Sequence, residues 1–283
     1  MYEGNLIDLR FRPPLDPFTR MVVYNNIPVY EARIGEAPDP AGVKRDMKLM
    51  FKEMEELKIV HGVFGGRIHP ITEACTENDG ISKIVKDYPG KFTGFAGIDH
   101  RNVKKAIEET ERCVKKLGLK GINMDLGYFQ DPPIQYNDAK LYPLYDYLEK
   151  NNIPLMATLS GLVGDNMTTA HPLPVDAVAR DFPKLTIILT HGCWPYVQEA
   201  CGMAFKRPNV YLVPDYYGYG FPGYLGYVEA ANTFLADRLL FGTAFPMRNM
   251  KIIVETHKTL PFRSEEVAEK YFYKNAARLL GLS

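Results

Sequence analysis

The chain has 283 residues, enough for one large domain or two average ones, and 46% of them are hydrophobic, so it can bury a substantial core. Lys plus Arg and Asp plus Glu each number 34, a formal charge of zero that argues against a nucleic-acid surface or an acidic tail. Four cysteines without a C-x-x-C pair read as reduced thiols of a cytoplasmic protein, MYEGNLIDLR has no basic segment followed by an apolar run, and no apolar stretch nears the roughly 18 residues of a membrane span.

Short apolar runs alternate with amphipathic segments along the chain. Strands are expected at 5–9, 59–64, 92–98, 119–124, 153–158, 185–190, 209–213 and 239–242. Several lack clean alternation, as strands buried on both faces of a parallel sheet do. After the first strand, residues 11–39 form a Pro-rich insert carrying Tyr24 and Tyr30, of the kind that shapes a site or a partner surface. Residues 40–57 place Val43, Met47, Met50, Met54 and Leu57 at helical spacing, with Asp39 as N-cap and Pro40 behind it. Residues 102–117 repeat the pattern with Val103, Ile107, Thr110, Val114 and Leu117, and Gly118 stands at the C-terminal position. Further helices are expected near 138–150, 174–181, 194–206, 223–236, 246–258 and 265–280.

Eight strand-then-helix units predict an α/β (β/α)8 TIM barrel as one domain over 1–283, with a long insert after strand 1 and a C-terminal helix. A doubly wound sheet could use the same elements. In a barrel the working residues lie at the C-terminal ends of strands. Those positions hold Asp8, Arg10 and Arg12; Arg67 after two glycines; Asp99 and His100; Asn123 and Asp125; Thr158 and Ser160; His191; Asp215 and Tyr217; and Thr243 with Ala244. Arg10 and Arg12, two apart on a strand, would share one face. Arg248 is expected to be solvated. Cys193, two residues after His191, is expected to be a small buried hydrophobe rather than a nucleophile.

The segments IDLRFR, IPLMAT, THGCWP, FGTAFP and KNAARLL resemble, in order, the IDxHxH, PVxxH, HxG, FGSDxP and NAxRLL motifs of the amidohydrolase superfamily. The resemblance is to the amidohydrolase-related branch of carboxymuconate-semialdehyde and hydroxybenzoate decarboxylases and pyrone-dicarboxylate lactonases. It runs from residue 6 to 280. It implies that two metal-binding histidines fall on Arg10 and Arg12, a third on Thr158, and a metal-binding aspartate on Ala244. His191 and Asp8 keep the family's residue types.

Guanidinium has no lone pair for a metal and repels a dication. The expected site is therefore metal-free and needs no cofactor. Arg10 and Arg12 would hold a carboxylate or a developing oxyanion, with Arg67, Asn123 and Thr158 as further substrate-binding groups and His191 and Asp215 as the catalytic pair. The expected activity is lactone hydrolysis, decarboxylation or isomerisation of a small anionic substrate. Three readings stand beside it: Arg10 pairing structurally with Asp8, a catalytically inactive anion-binding barrel, and a metal site relocated to His191, His100 and Asp215. The Tyr-rich insert is a candidate surface for homo-oligomers.

Overall fold

The computed structural model describes residues 2–69, 75–128, 134–164 and 166–282. Apolar runs buried on both faces form seven parallel strands: β1 (Leu6–Asp8), β2 (Ile59–Gly65), β3 (Phe92–Gly97), β4 (Gly121–Met124), β5 (Leu155–Thr158), β6 (Ile187–Thr190) and β7 (Val210–Val213). They pair in chain order. The eighth expected strand is reduced to one parallel bridge, Leu239 to Leu212. Leu240 N–H donates to the Leu212 carbonyl and Leu9 N–H to the Phe241 carbonyl, each at 2.9 Å, so this segment still closes the barrel. Its ladder ends because the Asp8 carboxylate takes the Thr243 N–H at 2.9 Å and Ala244 turns to φ +61°.

The helices follow as α1 (Val22–Asn25) and α2 (Ile27–Ala32) in the insert, then α3 (Pro40–Lys44), α4 (Met47–Glu56), α5 (Asn78–Asp87), α6 (Val103–Lys115), α7 (Tyr142–Lys150), α8 (Leu173–Asp181), α9 (Val197–Lys206), α10 (Leu225–Ala231), α11 (Met250–Lys258), α12 (Glu265–Glu269) and α13 (Asn275–Leu280). The single helix expected over 40–57 is two. Arg45 at φ +52° breaks it, and Asp46 recaps α4 by accepting from the Lys48 and Leu49 amides at 2.8 and 3.1 Å. Asp39 caps α3 as expected, accepting from Ala41 and Gly42. Helix α5 was not among the expected elements; its buried face mixes polar Asn78 and Ser82 with Ile81 and Ile84, which weakens the apolar stripe.

Inside the barrel, Ile7, Leu9, Val63, Phe95, Met156, Ile188, Val213 and Leu240 pack against Ala276, Ala277 and Leu280 of α13. The terminal helix thus stoppers one end. The polar strand ends gather at the other, under the insert. Among the described residues no helix is long and apolar enough to cross a membrane.

Candidate active site

The first strand ends sooner than the sequence suggests. β1 stops at Asp8, whose Oδ1 accepts the Arg10 amide at 2.9 Å and bends the chain out of the ladder. Arg10 and Arg12 therefore stand on a loop and not on a strand face. Both are nonetheless buried, at 2% and 4% exposure. Asp8 binds the Arg10 backbone and the Thr243 amide and hydroxyl. The Asp8 carboxylate thus directs these bonds to the Arg10 backbone and Thr243, while the Arg10 guanidinium reaches His191. Burial pushes the Asp8 carboxyl up to about 7, opposed by the Thr243 and Arg10 hydrogen bonds.

His191 follows β6 directly, and Asp215 follows β7. His191 Nδ1 lies 2.6 Å from Asp215 Oδ1, and the His191 amide donates to Oδ2 at 2.8 Å. Its other ring nitrogen, Nε2, lies 3.2 Å from Arg10 Nη2. A carboxylate only accepts and a guanidinium only donates. Nδ1 therefore carries the proton, Nε2 presents a lone pair, and the imidazole is neutral. The surroundings favour the same state: burial, then the cations of Arg10 and Arg12, hold His191 below its ordinary value against the pull of Asp215. Burial raises the Asp215 carboxyl, but His191 and Arg10 outweigh it and keep it low. His191, Cys193, Asp215 and Ala244 all adopt positive φ at this mouth, a strained backbone that the surrounding structure must hold in place.

A cavity of about 320 Å³ opens above these groups. Arg12, Arg67, His69, Ser160 and His191 supply its polar wall. Met21, Val22, Val23, Tyr30 and Arg33 of the insert roof it, facing Leu162, Val163 and Met247. Among the described residues, nothing accepts a hydrogen bond from Arg12 Nε or Nη1, both buried. Burial, followed by the like charges of Arg10 and Arg67, pulls the Arg12 guanidinium well below its usual range. The Tyr24 hydroxyl donates to the Arg12 carbonyl at 2.5 Å and fixes its backbone.

Arg67 is drawn inward by Asp125, with Nε and Nη2 each 2.7 Å from Oδ2. The turn that carries it passes close to β3: a Cβ on Gly66 would lie 2.4 Å from the Gly97 nitrogen. Asn123 donates to the Gly66 carbonyl at 2.7 Å and Thr158 sits against Thr190, so both lie behind the cavity wall. Asp215 also stands behind it and reaches the cavity through His191. Arg248, expected in solvent, is 2% exposed. It pairs with Glu36 of the insert and donates to the Tyr216 carbonyl at 2.6 Å, because roofing the mouth leaves no water there to solvate it. Cys193 is fully buried, which pushes its thiol well above the ordinary range and removes it as a nucleophile. The insert residues of the roof, Ser160 and His69 were not singled out as ligands from the sequence; only the length of the insert hinted at a roof.

The amidohydrolase resemblance implies a divalent metal at this mouth. The residues present do not fit one. Of the four positions where the resemblance would place ligands, Arg10 and Arg12 are cations, Thr158 is a weak neutral ligand, and Ala244 offers none. His191 Nδ1 is committed to Asp215, and the cation of Arg10 stands 3.2 Å from Nε2. Among the described residues no group of three or more His, Cys, Asp or Glu could hold a metal, the set of His191, His100 and Asp215 included.

Fold and site together define a TIM barrel with its polar groups gathered at the strand ends, under a strand-1 insert. The chain matches the amidohydrolase family over residues 27–282, and it belongs to that family. It is 37% identical to the uncharacterized TIM-barrel protein Bb4693 of Bordetella bronchiseptica, over 98% of this chain and 99% of that one, with a TM-score of 0.93. It is 31% identical over 142 residues to a 2-keto-4-carboxy-3-hexenedioate hydratase of Sphingobium sp., covering 44% of this chain and 40% of that protein. It is 25% identical over 171 residues to a gamma-resorcylate decarboxylase of Polaromonas sp., covering 56% and 48%. The chain spans under half the length of these two curated relatives.

Proposed function

We propose that the protein is a metal-independent lyase acting on a small carboxylated substrate, by decarboxylation or by adding water to a conjugated double bond. The observation that carries this reading is Arg12, a buried guanidinium whose Nε and Nη1 meet no acceptor among the described residues, in the wall of the same cavity as His191. A buried cation without a counter-charge is stabilised by an anionic occupant. The names of the hydratase and decarboxylase relatives support a lyase over a hydrolase. The four cysteines, all free thiols, support a reducing compartment such as the cytoplasm, and we read the chain as one catalytic domain.

Both reactions make the same two demands on these residues. In decarboxylation the electrons of the breaking C–C bond pass to a conjugated oxygen, and a proton must reach the carbon that carbon dioxide leaves. In hydration a proton leaves water as its oxygen bonds to carbon, and returns at the neighbouring carbon. Arg12, with Arg67 at the far wall, holds the substrate carboxylate. Arg12 stabilises negative charge growing on the conjugated oxygen, with the charge of Arg10 adding to its field from behind the cavity wall. In hydration His191 Nε2 takes the proton from water and returns it at the neighbouring carbon. In decarboxylation it first takes a proton from the substrate's hydroxyl and then delivers it to the carbon that carbon dioxide leaves. In both, Asp215 stabilises the imidazolium that forms.

The test is incubation of the purified protein with a panel of aromatic and unsaturated carboxylates, with and without a chelator. Product formation that survives chelation and is lost in His191→Ala is the expected result. Activity lost to chelator and restored by a divalent ion overturns metal independence. Binding without turnover, unchanged in His191→Ala, assigns an inactive binding barrel instead.

A further inference from the structure

Ser160 follows β5 and stands in the cavity wall with His191, yet the chemistry above leaves it unused. Its Oγ accepts the Leu162 amide at 3.1 Å and lies 2.8 Å from the Tyr217 hydroxyl. Tyr217 is 1% exposed. Among the described residues its hydroxyl meets one acceptor, Ser160 Oγ. Either hydroxyl can donate in this pair. A buried phenol without an acceptor is costly, and the Leu162 N–H beside it is a donor, which favours the arrangement in which Tyr217 donates and Ser160 accepts. Ser160 then accepts twice, which fills both lone pairs of its oxygen. Its own hydrogen is left over, on a side chain at the cavity surface. The wall behind it is fixed: Tyr217 stacks on Trp194 at 4.7 Å and meets the His191 ring edge-on at 6.0 Å.

We propose that Ser160 is a specificity-determining residue that donates its hydroxyl hydrogen to a substrate oxygen other than those of the carboxylate on Arg12, with Tyr217 as the positioning residue that aims it. The substrate class narrows to carboxylates bearing a second oxygen, as hydroxyl or carbonyl. This rests on reading the cavity as an anion site.

The experiment is calorimetric titration of the whole chain with benzoate and with 2-hydroxybenzoate. The wild type is expected to prefer the hydroxylated compound by about tenfold, the size of one well-placed hydrogen bond. Ser160→Ala is expected to bind both equally, at the wild-type affinity for benzoate. The double variant Ser160→Ala with Tyr217→Phe is expected to do the same, and it leaves no orphaned phenol to disturb folding. Tyr217→Phe alone is expected to keep a reduced preference; a full preference there removes its positioning role. A preference that persists in Ser160→Ala, or is missing from the wild type, overturns the inference. Arg12→Met is expected to weaken both compounds equally. If it leaves benzoate unaffected, or neither compound binds the wild type, the anion-site reading falls and this inference with it. If Arg12→Met weakens binding and Ser160→Ala keeps the preference, only the Ser160 inference falls.

Discussion

Arg10 Nη2 stands 3.2 Å from His191 Nε2, so a permanent cation addresses the lone pair that would take a proton. The neighbour across the ring, Asp215, stabilises the opposite state. The balance leaves His191 neutral and holds it in one tautomer.

That balance sets the pH profile. Burial and Arg10 both lower the His191 titration. A reaction that needs the neutral imidazole should therefore be flat at neutral pH and fall on the acid side, with its midpoint below the ordinary histidine value of about 6.5. Arg10→Met removes a like charge and should move that limb to higher pH. An acid limb that does not move in kcat/KM profiles of the two proteins would falsify the role given to Arg10.

Asp215→Asn keeps the shape of the side chain but removes the charge that favours the Nδ1–H tautomer and the imidazolium. Turnover on the best substrate of the panel should fall by about 10²–10⁴-fold, with KM changing much less. Steady-state kinetics separates the two parameters.

Arg12→Met should act in opposite directions on binding and on stability. Carboxylate affinity should weaken by about 2–4 kcal/mol as a desolvated charge contact is lost. The ligand-free protein should be as stable as the wild type or more so, since a buried cation whose Nε and Nη1 meet no acceptor among the described residues has been replaced by a thioether. Thermal melts with and without benzoate report both effects.

Asp8 imposes a pH dependence of its own. Its folded value of about 7 lies above the ordinary aspartate value of 3.8, so the native state holds this proton where the unfolded chain has released it. Its contribution is full below the unfolded value and is lost as pH rises from about 4 to about 7. Asp8→Asn should remove that slope, so the variant gains on the wild type across this window by up to about 4 kcal/mol. Denaturant midpoints at pH 5 and pH 8 test it; a constant gap between the two proteins would count against the burial of an ionising Asp8.

Glu36→Ala should release the insert. Arg248 would lose its carboxylate while buried, destabilising the protein by on the order of 3 kcal/mol. Proteolysis within residues 13–39 should accelerate, and substrate KM should rise as the roof of Val22, Val23 and Tyr30 loosens. Unchanged cleavage would show that the roof is held by other contacts.

The sequence by itself determined the parallel barrel, the insert, and the placing of His191 at a strand end. Apolar runs and helical spacing are local signals, and burial on both faces leaves few alternatives for where they go. The end of β1 at Asp8 and the loss of an eighth ladder were not legible, because one carboxylate outcompetes sheet hydrogen bonds in both places, at the Arg10 amide two positions on and at the Thr243 amide 235 positions on. Only the tertiary structure decided the pairings that make the site: Arg67 with Asp125 across 58 positions, Ser160 with Tyr217 across 57, Arg248 with Glu36 across 212. A surface arginine and an inward one look alike in a sequence. What separates them is whether barrel closure brings a carboxylate or a carbonyl within hydrogen-bond reach in a space that water has left.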